Sequence, residues 1–271
     1  MSEGPGFHGT TMKEFSLGMV LSGGGARGMA HIGVLRALME HGIHPDCIAG
    51  ASAGATVGAL YAAGHSARAM LEFFQLTRFF RIANVAFAKP GILDTAKLIP
   101  SFLQYFPDNS FETLNKKLLI LATDILSGEP VVFESGPLIP SVLASSSVPL
   151  VFSPTEINGR WYCDGGVADN FPVNLIRDRC RVVLGVHVSP LRGCQITELG
   201  TSLSVLQRAM EIGMFHRAQA KFSLCDVMIR PPKLIGFGLF DMNHLAEIEA
   251  IGYEAAIEQM GTIERLVRLN R

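Results

Sequence analysis

The sequence predicts an α/β fold built on a largely parallel central sheet. Three observations carry that prediction. Short apolar runs of strand length alternate along the chain with longer segments of helical periodicity, the pattern of parallel strands joined by helical crossovers. Glycine-rich turns stand where two of those strands pass into helices, at Gly23–Gly28 and Gly50–Gly54. Composition leaves room for a large core: the 271 residues are 48% hydrophobic and only 17% charged, below the usual charged share of about 25%.

The elements follow in order. Residues 1–15 are expected to form a loose tail. Leu17–Leu21 (LGMVL) reads as a short buried strand, interrupted by the Gly23–Gly25 run. Met29–His41 reads as a helix with Ile32, Leu35, Leu38 and Met39 on one face, closed by Gly42. Cys47–Ala49 is a second strand, running through Gly50-Ala51-Ser52-Ala53-Gly54 into a small-residue helix that stops near Ala63. Residues 67–115 read as mostly helical, with Phe73, Phe74, Phe79 and Phe80 on an apolar face and Pro90, Pro100 and Pro107 as breaks. Lys117–Thr123 and Val131–Phe133 are strands, and Leu138–Ser147 is a helix. Ile157–Cys163 is a hairpin turning at Asn158-Gly159, followed by Asp164-Gly165-Gly166. Val182–Val188 is a strongly apolar strand, about 199–222 a long helix, Asp226–Arg230 a last strand and Leu245–Leu269 a terminal helix. No internal repeat or linker divides the chain, so one domain over 1–271 is expected.

Charge and cysteine usage exclude several function classes. Basic and acidic residues balance at 23 against 24, which leaves no electrostatic footprint for nucleic acid. Five cysteines (Cys47, Cys163, Cys180, Cys194, Cys225) are odd in number and have no CxxC spacing, against a disulfide framework or a zinc site. Free thiols in a reducing compartment are expected. The start of the chain has no basic and apolar pattern of a signal peptide. Leu17–Leu21 and Ile48–Ala63 are too short or too rich in small and polar residues to span a bilayer. A cytoplasmic protein is expected, any membrane contact being peripheral.

Two glycine turns and one acidic turn carry the candidate chemistry. Gly23-Gly24-Gly25-Ala26-Arg27-Gly28 satisfies G-x-G-x-x-G between a strand and a helix. A dinucleotide-binding turn of that kind expects an acidic residue at the end of the second strand. That strand instead ends in Gly50-Ala51-Ser52, and Asp46 precedes it. More generally, a glycine turn at a helix start exposes backbone N–H groups that hold a phosphate or an oxyanion. Gly50-x-Ser52-x-Gly54 has the strand-to-helix setting of a nucleophile elbow. Ser52 then needs a base. Of the eight histidines, His187 is the one that fits a Ser…Asp…His order, yet both His187 and His31 read as core residues. Asp164-Gly165-Gly166 is either an ordinary turn or a carboxylate set beside Ser52.

Together these residues resemble the patatin-like phospholipase family. The pattern is a glycine-rich oxyanion loop ending in Arg-Gly (Gly23–Gly28), a G-x-S-x-G turn one βα unit later (Gly50–Gly54) and a distant Asp-Gly-Gly (Asp164–Gly166). The stretch from Ala144-Ser145 through Pro149, Phe152 and Pro154 resembles the family's A-S-x-x-x-P-x-x-F-x-P segment. The resemblance covers about residues 17–177, leaving 178–271 as a C-terminal extension. It implies a three-layer α/β/α sandwich and a Ser52–Asp164 dyad that needs neither histidine nor metal nor cofactor. It also implies an oxyanion hole from Gly23, Gly24, Gly25 and Ala26, and a lipid acyl ester as substrate. Gly28, Gly50, Gly54, Gly165 and Gly166 support the turns. Arg27 either orders the loop, contacts a lipid phosphate or is a solvated helix-start residue. The Phe-rich segment 73–80 and Leu234–Phe240 (LIGFGLF) either pack the core or line an acyl channel. A dinucleotide-binding protein and a non-catalytic adaptor of the same fold, acting through residues 67–110, are the competing functions. Acyl-chain length, head group and oligomeric state are not legible.

Overall fold

A computed structural model of the chain describes residues 13–77, 86 and 90–270. Its centre is an eight-stranded sheet whose path runs β5-β6-β3-β2-β1-β7-β8, with β4 also paired to β3. The strands are β1 (Phe15–Leu21), β2 (Cys47–Ala51), β3 (Lys117–Asp124), β4 (Pro130–Phe133), β5 (Thr155–Ile157), β6 (Arg160–Asp164), β7 (Cys180–Val186) and β8 (Val227–Ile229). β3, β2, β1, β7 and β8 are mutually parallel, while β4, β5 and β6 are antiparallel additions. β1 lies between β2 and β7, so the connections leave it in opposite directions. Such a reversal opens a crevice at the carboxyl ends of the strands.

Side chains alternate across the sheet and feed two cores. Leu17, Met19, Leu21, Ile48, Ile120 and Leu184 face one layer, made by α1 (Met29–Glu40), α2 (Ala53–Ala62), α3 (Ala67–Leu76), α5 (Leu138–Ser145) and α8 (Leu245–Leu269). Val20, Cys47, Ala49 and Val183 face the other, a thinner layer. That layer consists of α6 (Gly166–Asp169), Phe171, Val173, Ile176 and the end of α7 (Ser202–Gln219). The architecture is therefore the expected three-layer sandwich. Residues after 177 are integral to it: β7 pairs with β1 along almost its whole length. α8 packs on α1 so closely that a Cβ at Gly33 or Gly252 would collide with the facing backbone.

The predicted strands and the terminal helix fall at or near their observed places. Two helical readings change. Between 67 and 115 the described α-helices are only α3 and α4 (Ile99–Leu103), with short 3-10 turns at Thr95–Leu98 and Phe111–Thr113. Pro100 opens α4, where its missing N–H costs nothing. Phe73 and Phe74 are buried there, whereas Phe79 and Phe80 lie outside the described residues, as does part of the 67–110 surface. The long helix expected from 199 begins instead at Ser202. A capping box of Thr201 and Ser204 starts it, and a separate 3-10 turn covers Ile196–Leu199. All five cysteines are free, with Cys47, Cys163 and Cys180 buried.

Candidate active site

The register of β3 explains how Ser52 and Asp164 meet. Leu121 pairs with Ala51 and with Val132. Its neighbour Ala122 pairs with Val131 and with Asp164. β4 therefore holds one edge of β3, and β2 and β6 share the other. β2 runs parallel to β3 and β6 antiparallel, so their carboxyl ends arrive at the same point from opposite directions. Ala51 is the last residue of β2 and Asp164 the last of β6. Two residues far apart in sequence become next neighbours along one strand edge.

Ser52 is the turn between β2 and α2. Its backbone is strained, with φ 54° and ψ −124°, a conformation that costs a non-glycine residue about 1–3 kcal/mol. The strain is sustained by close packing around it. Every residue of α2 is buried, and a Cβ at Gly54 would collide with the carbonyls of Leu21 and Ser22. Gly50 and Gly54 are small because two elements cross there, as the elbow pattern requires. Ser52 itself is 7% exposed.

Asp164 is fully enclosed. Its Oδ1 accepts the Gly166 N–H at 2.7 Å, its backbone N–H donates to Ser147 O at 2.9 Å, and its carbonyl accepts the Thr123 hydroxyl at 2.9 Å. Oδ2 is buried with no hydrogen-bond partner. Burial pushes the pKa of the carboxyl up to about 6, against the opposing pull of the neighbouring Ser52 hydroxyl and the Gly166 N–H. No hydrogen bond of ordinary geometry yet joins Ser52 to Oδ2. Contacts of this kind commonly close only when substrate is bound.

The glycine loop after β1 divides its four amides into two sets. The Gly23 N–H donates to Asn170 O at 3.3 Å, and the Ala26 N–H donates to Leu239 O at 2.7 Å. Both are therefore engaged within the protein, which removes Gly23 and Ala26 from the predicted oxyanion donors in this conformation. Gly24 and Gly25 have no acceptor for their N–H groups among the described residues. Gly25 has φ +56°, and a Cβ there would collide with Leu239 O. The Gly23 carbonyl accepts the Ser189 hydroxyl at 2.8 Å and the Ser22 hydroxyl at 3.1 Å, which fix the loop. Gly28, where the loop enters α1, packs so closely that a Cβ would contact that of Ala53.

Arg27 is not a solvated helix-start residue. It is buried, and its Nε has no hydrogen-bond partner. It lines a cavity of about 230 Å³ with Arg192, Arg208, Glu211, Phe237 and Leu239. Of the LIGFGLF segment, Leu234 is buried, Ile235 and Phe240 are exposed, and the Leu239 main chain covers the glycine loop. Neither histidine serves Ser52. His31 Nε2 bonds to Ser22 O at 2.8 Å. The His187 ring packs among Phe171, Phe215 and Phe222, its Nε2 is unpartnered, and burial pulls its pKa down to about 3. No group of three or more metal-ligating side chains occurs among the described residues.

The sequence profile of the patatin-like phospholipase family matches residues 19–176. The chain belongs to that family. An NTE family protein of Mycobacterium tuberculosis is 36% identical over 161 residues, 57% of this chain and 44% of that protein. Lysophospholipase NTE1 of Kluyveromyces lactis is 27% identical over 277 residues, 90% of this chain and 19% of that protein. The chain thus spans less than half the length of either relative. Among solved structures, VipD from Legionella pneumophila superposes with a TM-score of 0.57 over 92% of this chain and 67% of that one, at 15% identity. Human GIVD cytosolic phospholipase A2 superposes with a TM-score of 0.50 over 95% and 59%, at 12% identity. These likenesses support the patatin-like fold read from the four motifs, and family membership displaces the dinucleotide reading of Gly23–Gly28.

Ser145, which in the sequence stands out only as a member of the A-S-x-x-x-P segment, touches the site directly: its hydroxyl accepts the Ser52 N–H at 2.9 Å. Leu239 and Asn170 act through main-chain carbonyls, which carry no side-chain signature for a sequence to display.

Proposed function

We propose that the chain is a serine acyl hydrolase that cleaves ester bonds of phospholipids or lysophospholipids. The observation that carries this reading is the end-to-end meeting of Ser52 and Asp164 on β3, together with two backbone N–H groups of the glycine loop that have no acceptor among the described residues. Ser52 Oγ attacks the acyl carbonyl carbon while Asp164 Oδ2, the oxygen without a partner, takes the hydroxyl proton. The oxyanion forms against the Gly24 and Gly25 N–H groups, and loss of one such donor costs about 100- to 1,000-fold in rate. Collapse expels the alcohol, which leaves with the proton held by Asp164. Water then attacks the acyl-enzyme, Asp164 taking its proton, and the fatty acid departs as Ser52 recovers its hydrogen. A carboxyl with a pKa of about 6 is ionised at neutral pH yet basic enough to share in these transfers.

Arg27 and its cavity lie beside the loop and receive the polar end of the ester. Family membership and the NTE1 relative support a lipid substrate. No helix among the described residues is long and apolar enough to cross a membrane. The test is fluorophosphonate labelling with peptide mapping on wild type, Ser52→Ala and Asp164→Asn, followed by turnover of lysophosphatidylcholine. Labelling at Ser52 that vanishes in the first variant and falls sharply in the second is expected. Equal labelling of wild type and Ser52→Ala overturns the proposal.

A further inference from the structure

The point where β2 hands the edge of β3 to β6 is also a break in a hydrogen-bond ladder. Ala51 is the last β2 residue opposite β3, so the Ser52 N–H and the Leu121 carbonyl lose the partners that a continuing strand would supply. Both groups are buried, and a buried amide without a partner costs about 1–3 kcal/mol. The Ser145 hydroxyl is inserted between them. It accepts the Ser52 N–H at 2.9 Å and donates its own proton to Leu121 O at 2.6 Å, the one donor and one acceptor role a hydroxyl can fill together. The same residue's carbonyl accepts the Gly165 N–H at 3.1 Å, next to Asp164. Ser145 closes α5 and is completely buried.

We propose that Ser145 is a positioning residue that sets the reach between Ser52 Oγ and the Asp164 carboxylate. Its hydroxyl holds the nucleophile's amide in the strained elbow, and its carbonyl holds the chain beside the base. This rests on the Ser52–Asp164 reading above. A bracket of this kind acts on the chemical step and leaves substrate binding alone. A displacement of about 1 Å between reacting groups is enough for a loss of about 100-fold.

The experiment compares Ser145→Ala and Ser145→Cys with Ser141→Ala, measuring kcat and KM on a p-nitrophenyl acyl ester, the fluorophosphonate labelling rate and Tm. Ser141 is the control: it is buried in the same helix, and among the described residues its hydroxyl bonds only to Pro137 O, at 2.9 Å. Ser145→Ala is expected to lower kcat and the labelling rate by about 100-fold with KM within about threefold. Ser141→Ala, which deletes one hydrogen bond rather than two, is expected to lose less Tm and little kcat. Ser145→Cys keeps the shape with a somewhat larger sulfur that is a weak donor and acceptor, and is expected to lose at least about 10-fold in kcat with the fold intact. It decides the matter if Ser145→Ala does not fold. Ser145 variants that lose no more kcat than Ser141→Ala overturn the positioning role. So does a loss carried by KM. In either case, loss of labelling in Ser52→Ala and Asp164→Asn leaves the dyad standing. Retained labelling in those two variants removes the dyad itself.

Discussion

Replacing Asp164 by asparagine should separate the cost of the site from its use. The carboxyl's pKa stands at about 6 in the folded protein against an ordinary 3.8. Because the folded value is raised, the stability tied to this group is fully present below pH 3.8 and is lost as pH rises through 6. The full loss is about 3 kcal/mol, at about 1.4 kcal/mol for each tenfold change in proton affinity. Linkage between those two pKa values places about 1 kcal/mol of the loss already at pH 4.5 and nearly all of it at pH 8. Asparagine keeps an oxygen for the Gly166 N–H and carries no charge to bury. Asp164→Asn should therefore be inactive yet gain stability relative to wild type as pH rises, by about 2 kcal/mol more at pH 8 than at pH 4.5. Urea unfolding of both proteins at the two pH values measures the difference. An equal stability difference at both would mean that the carboxylate is as well solvated in the fold as in the unfolded chain. The account of its raised pKa would then fail.

Three further predictions follow from the same geometry. Wild-type kcat/KM should rise with pH to a plateau with its midpoint near 6, since Asp164 must be ionised to accept a proton; a flat profile between pH 5 and 8 would contradict this. Ser52→Gly should be more stable than Ser52→Ala by about 1–2 kcal/mol in denaturant unfolding, since glycine adopts the φ 54°, ψ −124° elbow without strain. Equal stability would mean that the elbow relaxes when Oγ is removed. His187→Phe should keep kcat within about fivefold, since the ring is neutral at pH 7 and set among aromatic side chains; a loss above 100-fold would return histidine to the mechanism.

Much of this site is legible in the sequence because its turns are made of residues whose type is dictated locally. Gly50 and Gly54 flank Ser52 for reasons of space, and a strand, an elbow and a buried helix follow one another without interruption. The apolar runs of β1, β3 and β7 give the parallel sheet in the same way. What is not legible depends on register and on main-chain atoms. Nothing near Asp164 announces that β6 will take over the edge of β3 at Ala122. The engagement of the Gly23 and Ala26 amides by Asn170 O and Leu239 O is equally silent, since any residue supplies a carbonyl. The helix boundary at 202 departs from the apolar pattern because Thr201 starts a helix after Gly200, a local capping choice that outweighs the longer periodicity. Within 67–115 the helical pattern is realised in α3 and α4, and Pro100 starts a helix rather than breaking one.

The shared edge of β3 also bears on the order of events during folding. Ser52 and Asp164 lie on segments separated by more than a hundred residues, and they face each other only after β2 and β6 have both docked on β3. Contacts of such long range form late, because loop closure must precede them. In a refolding experiment, fluorophosphonate reactivity should therefore return after helical circular dichroism and together with the last cooperative burial of the sheet. The nucleophile would serve as a built-in chemical reporter of that closing step.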